Sequence, residues 1–273
     1  MDALAAIKVM RPFNCLMAAF ATAIGYWASL ERFALSQPLF LALAAAFLVC
    51  GAGQAINDYF DRAVDRKIKP DRPIPSGRLP AKFVLVESLL LFATGNALAF
   101  QVNSAAFTIS VVFTLLLIAY SSLLKKIKYV GNWVVASGTA VTLVFGASLS
   151  GAYQAVLFLA FSAFLANLGR ELTKDLEDLE GDRGHKMTLP LLAGKTPVKS
   201  IVLFCYAFAL AVGLFAGFRF YFEETWFLPL LVLAGVLFGH TGSLVIAGKF
   251  RRSQRFAKQA MLLSLLAFAS VVL

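Results

Sequence analysis

The stretch Leu48-Val-Cys-Gly-Ala-Gly-Gln-Ala-Ile-Asn57-Asp58-Tyr-Phe-Asp61-Arg-Ala-Val-Asp65 decides the architecture. It joins the end of an apolar run, Phe33 to Asn57, to carboxylates spaced D-x-x-D-x-x-x-D. Crossing the hydrocarbon core of a bilayer takes about 20 apolar residues in a helix, and runs free of Lys, Arg, Asp and Glu recur along the chain. Phe13–Leu30 is a first span and Phe33–Asn57 holds a second. Phe83–Leu124, interrupted only by Glu87, is too long for one helix and divides at Gln101, Asn103 and Ser104. Tyr129–Gly169 divides likewise at Ser150 and Gly151; Ser200–Phe218, Thr225–Gly248 and the short Gln259–Leu273 follow. The expected fold is an all-α integral membrane protein, a bundle of nine transmembrane helices forming a single domain over 1–273.

Composition agrees. Of 273 residues 60% are apolar, with 26 Phe, and 15% are charged, against roughly 25% in soluble domains. A soluble enzyme, a disordered chain and a secreted disulfide scaffold are excluded. The net charge of +10 would suggest nucleic acid in a soluble protein; here it marks cytoplasmic loops and the partner is the lipid bilayer. Indeed 23 of the 25 basic residues fall in five segments that nine spans place on one face: Lys8–Arg11, Arg62–Lys82, Lys125–Lys128, Arg170–Lys199 and Lys249–Lys258. Only Arg32 and Arg219 lie outside them. That distribution predicts a cytoplasmic N-terminus, an outside C-terminus and a multi-pass protein of the cell membrane. Lys8 and Arg11 before an apolar run also fit a signal peptide, but the unbroken series of spans that follows favours a first span. Cys15, Cys50 and Cys205 lie in apolar stretches with no C-x-x-C spacing and read as small buried hydrophobes.

The carboxylates carry the chemistry. Asp58, Asp61 and Asp65 repeat as Asp175, Asp178 and Asp182, each 117 residues further on. Four spans separate the copies, so both emerge on one membrane face as parallel repeats and are expected to face one another across the bundle. Positions i, i+3 and i+7 fall within about 60° on a helix, so each trio lines one face over roughly 10 Å. Solvated helix ends with i,i+4 pairs are the plain alternative. Like charges on one face repel, however, and two such stripes at the mouth of an apolar bundle call for a cation. The donor type suits Mg²⁺, which takes one or two protein carboxylates plus phosphate oxygens; an EF-hand is excluded because neither copy has its loop. Around the stripes Arg62, Arg66, Lys67, Lys69, Arg72, Arg183 and Lys186 bring positive charge to a phosphate, although the topology itself demands basic residues here. Lys69-Pro-Asp-Arg-Pro-Ile-Pro-Ser-Gly reads as an ordered loop capping the site.

N-D-Y-F-D-R-A-V-D (57–65), K-P-D-R-P-I-P-S-G-R (69–78) and R-E-L-T-K-D-L-E-D-L-E-G-D (170–182) together resemble the UbiA superfamily of intramembrane prenyltransferases. Arg11-Pro-Phe-Asn14 ahead of the first span and Tyr120-Ser-x-x-x-Lys125 ending the fourth resemble it too. Within it, the D-R-P-I-P-S-G loop and K-D-x-E-D-x-x-G-D motif are most similar to the archaeal digeranylgeranylglyceryl phosphate synthase subfamily. The resemblance implies transfer of a geranylgeranyl group from geranylgeranyl diphosphate to geranylgeranylglyceryl phosphate, with Mg²⁺ as cofactor, in ether-lipid synthesis. It implies Asp58, Asp61, Asp175 and Asp178 as catalytic groups, and these with Asn57, Asp65 and Asp182 as metal ligands. Arg11, Asn14, Arg72, Tyr120, Lys125 and Lys186 are the expected substrate-binding residues, Arg72 and Lys125 for the diphosphate, Arg11 and Lys186 for the acceptor's phosphate.

Rival readings are a superfamily member with an aromatic or quinone-precursor acceptor and, from another class, a secondary transporter. Transporters place their ion sites near the bilayer midplane, whereas these acids cluster at helix ends. Glu87 is one turn into its span, and His240 reads as an interior histidine. A CDP-alcohol phosphotransferase is excluded because its D-G-x-x-A-R signature is missing.

Overall fold

The structure is a computed structural model and describes residues 2–127, 130–182, 187–221 and 226–270, with the backbone alone at 126, 181 and 182. Its elements are α1 (Ala3–Val9), α2 (Pro12–Leu30), α3 (Gln37–Ile68), α4 (Ala81–Val102), α5 (Ser104–Ser122), a 3-10 turn (Leu124–Lys126), α6 (Val130–Ala147), α7 (Gln154–Glu177), α8 (Leu179–Asp182), α9 (Leu189–Ala193), α10 (Lys195–Phe220), α11 (Phe227–Ile246) and α12 (Phe250–Ser270). No strand occurs among the described residues, as expected of backbone in lipid, where each helix satisfies its own polar groups. Eight of these helices, α2–α7, α10 and α11, are long and apolar enough to cross a membrane.

Both predicted divisions are found. Asn103 separates α4 from α5: its N–H donates to the Ala99 carbonyl at 3.4 Å, and its Oδ1 caps α5 by accepting from Ala106 N at 2.8 Å. Between α6 and α7 the chain turns at Gly151 in the left-handed region, φ +77°, which glycine adopts without steric cost. The ninth expected span is not among these eight, and its helix starts earlier than its apolar run. Between Phe250 and Gln259 stand Arg, Lys, Gln and Ala, good helix formers, so α12 begins at Phe250 and carries the basic residues.

The first helix was not anticipated. Asp2 Oδ1 accepts from Leu4 N and Ala5 N at 3.0 and 3.2 Å, starting α1. The second span also outruns its expected end. At 1.5 Å per residue the 32 residues of α3 measure about 48 Å, more than the hydrocarbon core of about 30 Å. It therefore outruns a hydrocarbon core, and Asn57–Asp65 lie on its polar last turns. Arg66 and Lys67 occupy the final turn, where cations favour the helix dipole, and Pro70 follows the cap at Lys69.

The helices form two compact units, Met1–Ala23 with Leu35–Leu124, and Ile24–Ala34 with Lys125–Leu273. In the first, α3 packs on α1, α4 and α5, its contacts made by Ala42, Ala45, Ala52 and Ala55, all fully buried. Small side chains let helices approach closely without a hydrophobic drive between them. Phe13, Leu90, Phe100 and Leu115 are exposed, as lipid-facing residues should be. In the second unit α7 is the central helix, packed on α6, α10 and α12. The end of α2 approaches α6 so closely that a Cβ at Gly25 would lie 2.0 Å from the Leu143 carbonyl oxygen. His240 is exposed, edge-on to the Phe256 ring at 4.6 Å. The interior reading fails because this face of α11, with Val232 and Val236, points away from its neighbours.

Candidate active site

Each unit holds one acidic segment. In the first, the segment lies on one uninterrupted helix, and Asp58 and Asp65, two turns apart on α3, are buried. Arg72 from the following loop donates through one guanidinium nitrogen to Asp58 Oδ1 at 3.0 Å and to Asp65 Oδ2 at 2.5 Å. Arg11, held at φ +54° between α1 and α2, donates to Asp58 Oδ1 at 2.7 Å and to Gln54 Oε1 at 2.6 Å. Two guanidinium groups thus offset part of the cost of burying Asp58. Asn57 donates its amide N–H to Asp61 Oδ2 at 3.0 Å.

The loop that delivers Arg72 is ordered from within. Ser76 N donates to Arg72 O at 3.0 Å, Leu79 N to Pro73 O at 3.0 Å, and Arg78 to the Asp71 carbonyl at 2.5 Å. Ile74 and Leu79 anchor it in a buried cluster with Ala5, Val9, Ala55 and Val84. This explains both the Pro-rich sequence and α1, whose buried residues close that cluster.

In the second unit the segment does not lie on one uninterrupted helix. α7 ends at Glu177, Asp178 is its cap at φ −84°, ψ 3°, and α8 begins at Leu179. Acidic residues at a helix C-terminus oppose the dipole, and here Asp175, Glu177, Asp178 and Glu180 crowd one such end. The helix expected to carry all three carboxylates is therefore interrupted at Asp178, and the Asp182 side chain lies outside the described residues, as does Lys186. Asp175 is buried, and Asn132 from the first turn of α6 donates to its Oδ2 at 2.6 Å. One turn further in, Arg170 pairs with the buried Glu171 and donates to Asn167 Oδ1 at 3.1 Å. Asn167 in turn donates to Val135 O and Thr139 Oγ1 at 3.2 and 3.1 Å.

Of the expected substrate-binding residues, Arg11 and Arg72 meet on Asp58, Tyr120 and Lys125 are half-buried at the end of α5 and in the 3-10 turn, and Asn14 is exposed. Arg11 does not merely flank the first stripe; it is bonded to it. Gln54, Asn132, Asn167 and Glu171 escaped the sequence reading. Glu171 alone gave a signal, lying one turn before Asp175 on the same face.

Among the described residues no three His, Cys, Asp or Glu side chains converge on a metal position. Mg²⁺ asks less, one or two carboxylates with waters and phosphate oxygens. One atom of the first segment fits it directly. Asn57 Oδ1 is buried and has no hydrogen-bond partner, a costly state for an amide oxygen, while its own N–H holds Asp61 beside it. A hard cation held by Asn57 Oδ1 and Asp61 would remove that cost.

The model of the UbiA prenyltransferase family matches residues 18–266. The chain belongs to this family. Its UbiA relatives include the digeranylgeranylglyceryl phosphate synthase of Methanothrix thermoacetophila, 33% identical over 270 residues, 96% of this chain and 97% of the relative. That of Methanopyrus kandleri is 36% identical over 273 residues, 98% of each chain. Among solved structures, one described as a digeranylgeranylglyceryl phosphate synthase in membranes superposes with a TM-score of 0.83 at 28% identity, covering 98% of both chains. A UbiA homolog from Archaeoglobus fulgidus bound to GPP and Mg²⁺ superposes with a TM-score of 0.70 at 15% identity over 98% of both, a likeness of fold. The chain is thus a multi-pass membrane prenyltransferase of the UbiA family.

Proposed function

We propose that this UbiA protein transfers a geranylgeranyl group from geranylgeranyl diphosphate to the free hydroxyl of geranylgeranylglyceryl phosphate, with Mg²⁺ as cofactor. The observation that carries the reading is identity of 33 and 36% to two digeranylgeranylglyceryl phosphate synthases over nearly the whole length of all three chains. In the reaction the bond between the allylic carbon and the diphosphate oxygen breaks. A bond from that carbon to the glycerol oxygen forms, and the hydroxyl proton departs.

The chain's own residues divide this work. Asn57 and Asp61 in one segment, and Asp175 and Asp178 in the other, are the proposed oxygen ligands. Bound there, Mg²⁺ supplies the charge neutralisation that lets diphosphate leave. Asp58 and Asp65 hold Arg72, and Asp58 holds Arg11, so their remaining guanidinium N–H groups are pre-aimed donors for phosphate oxygens. Tyr120 and Lys125 are further proposed contacts for the diphosphate, and Arg11 and Lys186 are the proposed contacts for the acceptor's phosphate, by the motif resemblance. The apolar helices take the prenyl tails and keep water from the reacting carbon. The cytoplasmic face is the proposed side of the site, a reading supported by the concentration of basic residues in the segments that carry these groups.

The test is direct. Protein reconstituted in lipid vesicles with geranylgeranyl diphosphate, geranylgeranylglyceryl phosphate and Mg²⁺ forms the diether, and EDTA stops it. Equal rates in EDTA would overturn the metal role.

A further inference from the structure

Beyond its first residue α5 carries five serine and threonine hydroxyls, and four of them have a partner. Thr108 Oγ1 donates to Ser104 O at 2.9 Å, Ser110 Oγ to Asn96 Oδ1 at 2.7 Å and Ser122 Oγ to Ile118 O at 2.8 Å, while Thr114 Oγ1 accepts from the Asn96 amide at 3.1 Å. Ser121 Oγ has no hydrogen-bond partner among the described residues, although the residue is only 1% exposed. A helical serine can satisfy itself on a carbonyl one turn earlier, as Ser122 does, and a buried hydroxyl left unpaired is costly. The other unpaired oxygen nearby is Asn57 Oδ1. α3 and α5 are both antiparallel to α4 and pack on each other. A Cβ at Gly53 would lie 2.9 Å from Leu117 Cδ1, which sets their register. One turn further along each helix stand Asn57 and Ser121, so the two unpaired oxygens occupy one level of neighbouring helices. They do not bond each other, and the Asn57 N–H donates to Asp61 instead. Two hard oxygens without a donor suit a hard cation, and in P-loop nucleotide-binding proteins a serine or threonine hydroxyl holds Mg²⁺ beside phosphate oxygens.

We propose that Ser121 Oγ is a further oxygen ligand of the cation assigned to Asn57 Oδ1. The proposal rests on the metal reading of the Asn57 and Asp61 position, and it adds α5 to the elements that bind the ion.

Mn²⁺ binding tests it, measured by electron paramagnetic resonance on the full chain in lipid nanodiscs with inorganic pyrophosphate and no prenyl substrate. Wild type is compared with Ser121→Ala, Ser121→Cys and Ser122→Ala, and melting temperatures in EDTA report on folding. Ser121→Ala weakens Mn²⁺ binding about tenfold or more, the scale on which metal sites respond to the loss of a supporting group. Its melting temperature in EDTA does not fall, because the substitution removes a hydroxyl that had no partner. Ser121→Cys puts a soft donor in place of a hard one and raises the affinity for Cd²⁺ relative to Mn²⁺ above the wild-type ratio. Ser122→Ala binds Mn²⁺ as the wild type does. Unchanged Mn²⁺ affinity in Ser121→Ala overturns the proposal and leaves an ordered water as the occupant between the two oxygens. A loss accompanied by earlier melting in EDTA, or matched by Ser122→Ala, is a packing defect and overturns it too. An unchanged Cd²⁺ to Mn²⁺ ratio in Ser121→Cys overturns direct ligation, the hydroxyl then acting on the pyrophosphate. No Mn²⁺ binding by the wild type overturns both this proposal and the metal reading, whereas binding lost in Asp61→Ala but kept in Ser121→Ala overturns this proposal alone.

Discussion

Asp58 and Asp61 stand three residues apart on α3; Asp58 accepts from two arginines, and the Asn57 amide is among the partners of Asp61. Asp61→Ala removes a proposed ligand and, like Asp178→Ala, abolishes nearly all turnover while the protein still folds, as circular dichroism and gel filtration of the variants will show. Full activity in the Asp61→Ala, Asp178→Ala double variant would refute this. Arg72→Ala leaves Asp65 without its guanidinium and Asp58 with Arg11 alone, and breaking a buried pair in this way costs about 3 kcal/mol. The melting temperature of Arg72→Ala accordingly falls and its KM for the donor rises, whereas Lys125→Ala raises KM alone. Unchanged KM and kcat in both would return these cations to a purely topological role. The carboxylates were legible because the repeat exposes them. The pairs were not, since Arg11 and Asp58 are 47 residues apart and a basic residue demanded by topology looks the same as one aimed at a carboxylate. Asn132 gave no signal at all, being a single amide among apolar neighbours.

At the scale of elements, the runs and polar breaks of the sequence located the spans because lipid leaves the backbone few options. What the apolar count missed lies at the edges, where α3 runs on to Ile68 and α12 starts at Phe250, since helix propensity and not hydropathy decides where a helix stops in water. The break at Asp178 was missed for a related reason: spacing alone put three carboxylates on one face, and the cost of crowding them at a C-terminus was not counted. The Pro-rich loop was read as ordered, but its anchors, Ile74 and Leu79, were visible only once α1 was seen to pack on them. Leu79→Ala should cost about 2–5 kcal/mol, as for a fully buried leucine. It should also raise the donor KM by loosening Arg72. A variant that melts earlier but keeps the wild-type KM would separate the loop from the site.

For the whole molecule, the segregation of 23 of 25 basic residues into five segments and the 117-residue repeat carried the sequence reading to a membrane enzyme with two acidic segments. The structure assigns one segment to each of its two units, and the family match spans 18–266. The acceptor is where the central claim is most exposed. With geranylgeranyl diphosphate as the sole donor, geranylgeranylglyceryl phosphate and 4-hydroxybenzoate should be offered together to the reconstituted protein and the products separated by mass. The account predicts prenylation of the glycerol hydroxyl and none of the aromatic acid; prenylated 4-hydroxybenzoate with no ether lipid would contradict it.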